Sequence, residues 1–190
     1  MTEPHVVRST AETIRSGYLD PTAAPVVSIN SGNRVSFPDT WTHWGNEAVF
    51  GMTFAEREPL RHEYPHGPSA MLGPVEVVVA DPGDVIECSI ETLRTLDWGE
   101  PASENATSAI LSGPYGGNLV LNALTAGSSV FLPVFKPGGR VWFGDIHAVQ
   151  GDGVVDQTAI ETAAEDLVIR TSFAKAFPCP GRWSRRTRSG

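Results

Sequence analysis

Asp81-Pro82-Gly83-Asp84-Val85-Ile86-Glu87-Cys88-Ser89-Ile90 reads as a tight turn that opens directly into a strand. Proline presets φ for the first corner of a turn, and glycine supplies the positive φ that the second corner needs. From Val85 onward apolar and polar residues alternate, the period of a strand buried on one face. The same device recurs as Asn30-Ser31-Gly32-Asn33-Arg34-Val35-Ser36-Phe37 and as Thr125-Ala126-Gly127-Ser128-Ser129-Val130-Phe131-Leu132-Pro133-Val134. Strand candidates precede two of these, Val26–Ile29 and Val75–Val79, and each such pair reads as a hairpin. This is a recurrent supersecondary device, not a solenoid repeat.

Composition agrees. Nineteen glycines and fifteen prolines spread over 190 residues punctuate many short segments, which favours a mainly β architecture with long loops and little helix. A hydrophobic share of 41% suffices for a buried core. The formal net charge of −8 argues against nucleic acid or an anionic membrane as partner. No apolar run reaches the roughly 20 residues of a membrane helix. Two cysteines, Cys88 and Cys179, make neither a disulfide framework nor a cysteine zinc motif. With no apolar leader visible, a cytoplasmic setting is expected. One domain is expected over residues 1–175. Residues 176–190, with Arg182, Arg185, Arg186 and Arg188, read as a basic, disordered tail. Residues 38–72 show no clear strand and read as a long functional loop with a helical turn. Asp156–Leu167 has helix-favouring composition, while Val168–Phe173 alternates like a strand, and periodicity alone does not decide between them.

The chemistry concentrates in Gly144-Asp145-Ile146-His147-Ala148-Val149-Gln150-Gly151-Asp152-Gly153. If Val141–His147 is one strand, residues i and i+2 share a face, which sets Asp145 beside His147. Asp152 returns after a short turn. Two oxygens and one nitrogen suit Zn²⁺ or another divalent ion; equally, Asp152 between glycines is an ordinary turn residue. A second group is Asp39, Trp41, His43, Trp44 and Glu47. His43 and Glu47 are candidate bases or ligands, and the tryptophans are a pocket wall, a sugar-stacking platform or simple core anchors. A third is Gly116-Gly117-Asn118, whose amides offer an oxyanion-type site or a plain turn.

Several pieces in order resemble the acetamidase/formamidase family. They are Leu72-Gly73-Pro74-Val75-Glu76-Val77, Ala80-Asp81-Pro82-Gly83-Asp84-Val85-Ile86-Glu87, Leu96-Asp97-Trp98-Gly99, Gly116-Gly117-Asn118-Leu119, Leu124–Phe135, Gly144–Gly153 and Thr158-Ala159-Ile160-Glu161. The matches run from about residue 16 to 173. The resemblance implies a β-sandwich fold, hydrolysis of small linear amides to a carboxylate and ammonia, and a divalent metal, Zn²⁺ before Ca²⁺. It implies Asp145, His147 and Asp152 as metal or water ligands. Asn118 with the Gly116 and Gly117 amides would hold the carbonyl oxygen, and His43 or Glu47 would handle protons beside Trp41 and Trp44. It also turns Asp156–Ile169 from helix toward strand and leaves a homo-oligomer open. Departures are visible. Ile146 replaces a glycine, and Val120 and Val154 stand where the family carries acids. These departures support an alternative reading, a catalytically impaired sandwich that only binds small molecules.

Overall fold

The structure, a computed structural model, describes residues 2–49, 51–92, 97–99, 107–157 and 159–175. The expected basic tail at 176–190 lies outside the described residues.

All three glycine turns form as read. The Asn33 amide donates to Asn30 O, the Asp84 amide to Asp81 O and the Ser128 amide to Thr125 O, each at 3.0 Å. The third residue of each turn, Gly32, Gly83 or Gly127, has φ of 85°, 96° or 90°. Nothing lies within 4 Å of where a Cβ would stand on any of them, so backbone conformation and not space demands glycine there. The strands that follow, Arg34–Pro38, Val85–Thr92 and Ser129–Pro133, join one five-stranded sheet in the order His5–Val6, Arg34–Pro38, Asp166–Ala174, Val85–Thr92, Ser129–Pro133. A second sheet runs Ile14–Ser16, Ala70–Val77, Val141–Gly144, Asp97–Gly99, and Val27–Ile29 also pairs with Ala70–Val77.

The two sheets share one core. Phe37, Ile86, Ile90, Leu132, Leu167 and Ile169 from the first meet Leu72, Val75, Val141 and Phe143 from the second. Phe37 and Phe143 stack tilted across the gap with ring centroids 5.2 Å apart. This is the sandwich arrangement, with alternate residues of each strand pointing inward.

The hairpin expectations are corrected. Val27–Ile29 pairs in parallel with Ala70–Val77 and not with the strand that follows its own turn. Ala70–Val77 lies in the opposite sheet from Val85–Thr92. The Gly32 and Gly83 turns therefore carry the chain across the core instead of reversing it within a sheet. The reason is two-sided burial. Every residue of Ala70–Val77 is buried except the half-buried Glu76. Leu72, Val75 and Val77 fill the sandwich, while Met71 joins Leu19, Ala109, Tyr115 and Trp142 on the outer face. Alternation identifies a strand but does not choose its partner.

The long segment holds more helix than a single turn. Phe54–Glu63 is an α-helix opened by a reciprocal capping box between Thr53 and Glu56. A 3₁₀ turn, His43–Asn46, precedes it. After a second 3₁₀ turn at Asp152–Gln157 the ambiguous stretch is strand, Ala159–Glu161 and then Asp166–Ala174. Among the described residues no helix is long and apolar enough to cross a membrane.

Phe143→Ala should cost about 3–5 kcal/mol in urea unfolding, because it removes a fully buried ring from the sheet-to-sheet contact. Gly83→Ala should cost only about 1–2 kcal/mol, the left-handed backbone penalty, since no atom meets the new methyl. A Gly83→Ala loss equal to that of Phe143→Ala would contradict this ranking.

Candidate metal centre

The strand Val141–Gly144 ends where it approaches the start of Ala70–Val77. A Cβ on Gly144 would run into the Ala70 carbonyl, so only glycine fits. The next residue, Asp145, has φ 56° and breaks the strand. Aspartate is among the few non-glycine residues that take the left-handed region readily. The expected single strand through His147 is thus corrected: the kink, not simple alternation, brings Asp145 toward His147.

A new strand, His147–Gln150, then pairs antiparallel with Ala159–Glu161. Its register sets His147 opposite Glu161 and Val149 opposite Ile160, so this strand contains one extra residue, a β-bulge. In a regular strand His147 and Gln150 would face opposite sides. Here both are buried while Ala148 and Val149 are exposed. The fourth side chain comes from the other direction. His43 sits on the 3₁₀ turn, whose Trp44 amide donates to Pro68 O at 2.6 Å. Trp44 is buried, and its ring meets the His43 ring edge-on with centroids 5.8 Å apart.

Two imidazoles and two carboxylates converge. His43 Nε2 lies 3.1 Å from Glu161 Oε1 and 3.8 Å from Asp145 Oδ1. His147 Nε2 lies 3.0 Å from the same Glu161 oxygen and 3.8 Å from Asp145 Oδ2. His147 Nδ1 lies 2.8 Å from Gln150 Oε1. His147 and Asp145 are well enclosed, with side chains 3% and 13% exposed, while His43 and Glu161 keep 27% and 35% exposure. Burial opposes charge on His147, but the bonds to Glu161 and Gln150 and the nearby Asp145 overcome it and lift its pKa to about 9. Burial likewise opposes ionisation of Glu161, yet the bonds from His147 and His43 pull it down to about 2. The His43 pKa is also raised: Glu161 and Asp145 outweigh the cost of burial.

His43, Asp145 and Glu161 each offer a ligand atom, all within 4.8 Å of one another, and so form a group that could hold a metal ion. A second observation fits this reading. Asp145 Oδ1 is buried and has no hydrogen-bond partner, an unusual cost for a carboxylate unless a cation claims the oxygen.

The other residues named from the sequence have partners of their own. Asp152 Oδ1 accepts the Asn122 amide at 2.7 Å, so the exposed carboxylate caps a neighbouring loop. Glu47 Oε1 accepts the Tyr64 hydroxyl at 2.7 Å, at the end of the α-helix. Asn118 Nδ2 donates to Ile110 O at 2.8 Å, and the Gly116 amide donates to Gly113 O at 3.1 Å. Gly117 is wedged against Tyr115. Trp41 is half-buried against the sandwich core. With Glu47, Tyr64, His66, Tyr18 and Arg15 it lines a cleft of about 490 Å³. Trp44 is too buried to serve as a stacking platform. The sequence reading does not assign Glu161 or Gln150 to the site. The signal for them is the family-like run Thr158-Ala159-Ile160-Glu161, together with an amide three residues after His147.

Comparisons with known proteins bear on the fold and on the resemblance in sequence. Residues 99–175 match the Acetamidase/Formamidase family. A Schizosaccharomyces pombe protein named, by inference, a formamidase is 36% identical over 74 residues, 39% of this chain. That match spans only 18% of the yeast protein's length. The fold is that of solved acetamidases. The Yersinia enterocolitica acetamidase superposes with a TM-score of 0.77 at 21% identity, covering 94% of this chain and 71% of that one. The Bacillus halodurans acetamidase gives 0.74 at 19% identity, covering 92% and 73%. The resemblance read from the ordered motifs and the mainly β fold it implied are both borne out.

The charged cluster makes stability depend on pH. Glu161, lowered from 4.5 to about 2, stabilises the fold above pH 4.5, and this is lost as pH falls through 2. His147, raised from 6.5 to about 9, stabilises it below pH 6.5, and this is lost as pH rises through 9. Both contributions are complete only between pH 4.5 and 6.5. In metal-free protein, Glu161→Gln should lower the melting temperature most in that window. After discounting for the exposure of Glu161, the loss is about 1 kcal/mol, or roughly 2–4 °C. Melting curves at stepped pH that show a constant offset would contradict this.

Proposed function

Taking a chain that resembles the acetamidase/formamidase family over residues 99–175 and folds like solved acetamidases, we propose that it hydrolyses the carbon–nitrogen bond of small linear amides with help from a divalent metal. One observation carries the reading: each of two imidazoles, His43 and His147, faces both carboxylates, Asp145 and Glu161, at 3.0–3.8 Å. His43, Asp145 and Glu161 would hold the ion, with His147 Nε2 as a fourth donor. Two nitrogens in the donor set favour Zn²⁺ over Ca²⁺, which takes oxygen ligands. When bound, the ion supplies Lewis-acid polarisation of an amide carbonyl and activation of water.

The chain's own residues do the rest. Asp145 and Glu161 offset the ion's charge. His43, the more exposed imidazole, is the one an incoming amide would meet. Protons held by the two histidines must leave before their nitrogens can ligate, so metal affinity should rise with pH. Asn118 and Gly116 each donate a hydrogen bond within their own loop, so we give them a structural part and not the carbonyl-holding one.

A second reading has its own observation. The Gly153 amide donates to Val120 O at 2.8 Å. The segments carrying the two positions that the resemblance gives to acids are therefore joined, and here those positions hold Val120 and Val154, Val120 being buried. If the chain is an impaired binding module, Val154→Glu should create amide hydrolysis that the native protein lacks.

Zinc-loaded protein should release ammonia from formamide or acetamide and lose that activity in a strong chelator. His43→Ala and Glu161→Gln should each lower kcat/KM by roughly 10²-fold or more. Absence of turnover by folded, zinc-loaded native protein would overturn the amidase reading.

A further inference from the structure

We infer that Gln150 is a positioning residue: its side-chain oxygen holds the proton on His147 Nδ1 and so dedicates Nε2 to the metal. The inference rests on the metal reading above and adds a residue to it.

Four observations lead here. The bulge in His147–Gln150 is what turns Gln150 to the same side as His147. Gln150 is 8% exposed, and its Oε1 lies 2.8 Å from His147 Nδ1. The other ring nitrogen points at the carboxylates, 3.0 Å from Glu161 and 3.8 Å from Asp145. Finally, Gln150 Nε2 is buried without a hydrogen-bond partner. The amide is thus placed for what its oxygen does, at the expense of its nitrogen.

The chemistry is that of a one-way acceptor. A carbonyl oxygen accepts hydrogen bonds and cannot donate them. Facing Nδ1, it stabilises the ring form that carries its hydrogen there, and the lone pair of the neutral ring then lies on Nε2. A metal-bound histidine is commonly fixed in this way by a partner on its other nitrogen. His43 differs: Glu161 and Asp145 both face its Nε2, and its ring is steadied by the edge of Trp44.

The test uses the full 190-residue chain and Zn²⁺ alone as the probe. In zinc-loaded native protein, nitrogen-15 NMR of the imidazoles should show His147 protonated at Nδ1 and metal-bound at Nε2. Gln150→Met should weaken zinc binding about ten- to hundredfold in chelator competition. Its metal-free melting temperature should fall by only a few degrees, because the lost His147 bond is partly offset by removal of the unbonded Gln150 Nε2. Gln150→Glu, which keeps an acceptor, should restore the Nδ1 proton signature and most of the affinity. Unchanged zinc affinity in Gln150→Met, or a proton on Nε2 of His147 in the loaded native protein, would overturn the role of Gln150 and leave the metal reading intact. Failure of the native protein to bind zinc would overturn the metal reading and this inference with it. If Gln150→Met does not fold, the native NMR signature and Gln150→Glu decide the matter.

Discussion

The site depends on one close approach between backbones. Gly144 lies against the Ala70 carbonyl so tightly that no side chain fits between them. That contact fixes the end of one central strand against the start of another, with Gly144 in register with Met71. The consequences run in both directions along the chain. Just past Gly144 the backbone kinks at Asp145. Just before Ala70, Pro68 accepts the Trp44 amide and anchors the turn that carries His43. A ligand pair separated by about a hundred positions in sequence is therefore held at 3.8 Å by the edge of a single strand pair. The hydrophobic core supplies the rigidity: the strands that end there carry Leu72, Val75, Val141 and Phe143 into the sandwich.

Around this anchor the charged groups of the candidate site are gathered. Two carboxylates and two imidazoles share a partly enclosed space. Each imidazole that gains a proton offsets one carboxylate, which limits the cost of removing both from water. The balance leaves polar atoms without partners: Asp145 Oδ1, Gln150 Nε2 and Trp44 Nε1 are all buried and unbonded. Orphans of this kind usually mark a strained or functional site. Of these, only the Asp145 oxygen can take a cation; the two nitrogens are donors, which a cation does not satisfy. A purely structural ion-pair cluster would have been free to satisfy the carboxylate oxygen with a nearby donor.

Much of the fold was legible in the sequence, because turn chemistry and strand period are local. Asp81-Pro82-Gly83-Asp84 and its two counterparts announced turns that exist, and the strands after them exist too. Strand partners were not legible. Ala70–Val77 is apolar on both faces, a pattern that marks a central strand without saying which neighbours flank it. Helix Phe54–Glu63 was understated although Thr53 and Glu56 have capping-box spacing, because its residues carry no apolar face to reveal it. In the site, Asp145, His147 and His43 were visible as residue types. Their geometry was not, since it depends on a left-handed aspartate and a bulge. Glu161 went unassigned because its relation to His147 exists only through strand pairing.

In a chain that covers 71% to 73% of the length of two solved acetamidases, the four groups of the candidate site are each placed by a definite backbone contact. Each donor takes its place from a strand end, a strand pairing or an anchored turn. His43 is held by Pro68, Asp145 by the end of a core strand, and His147 and Glu161 by direct pairing of two short strands. The Thr162 amide then ties that small sheet back to the Ile146 carbonyl at 3.0 Å. Asp152 stands outside this arrangement, since its carboxylate caps Asn122 and joins two loops. Metal-binding capacity should therefore track the integrity of the Gly144–Ala70 contact and the bulged strand pair. The loops carrying Val120 and Val154 would govern whether a bound amide is turned over. Separating those two levels, ligand geometry from the loops beside it, would let one fold hold an ion whether or not hydrolysis follows.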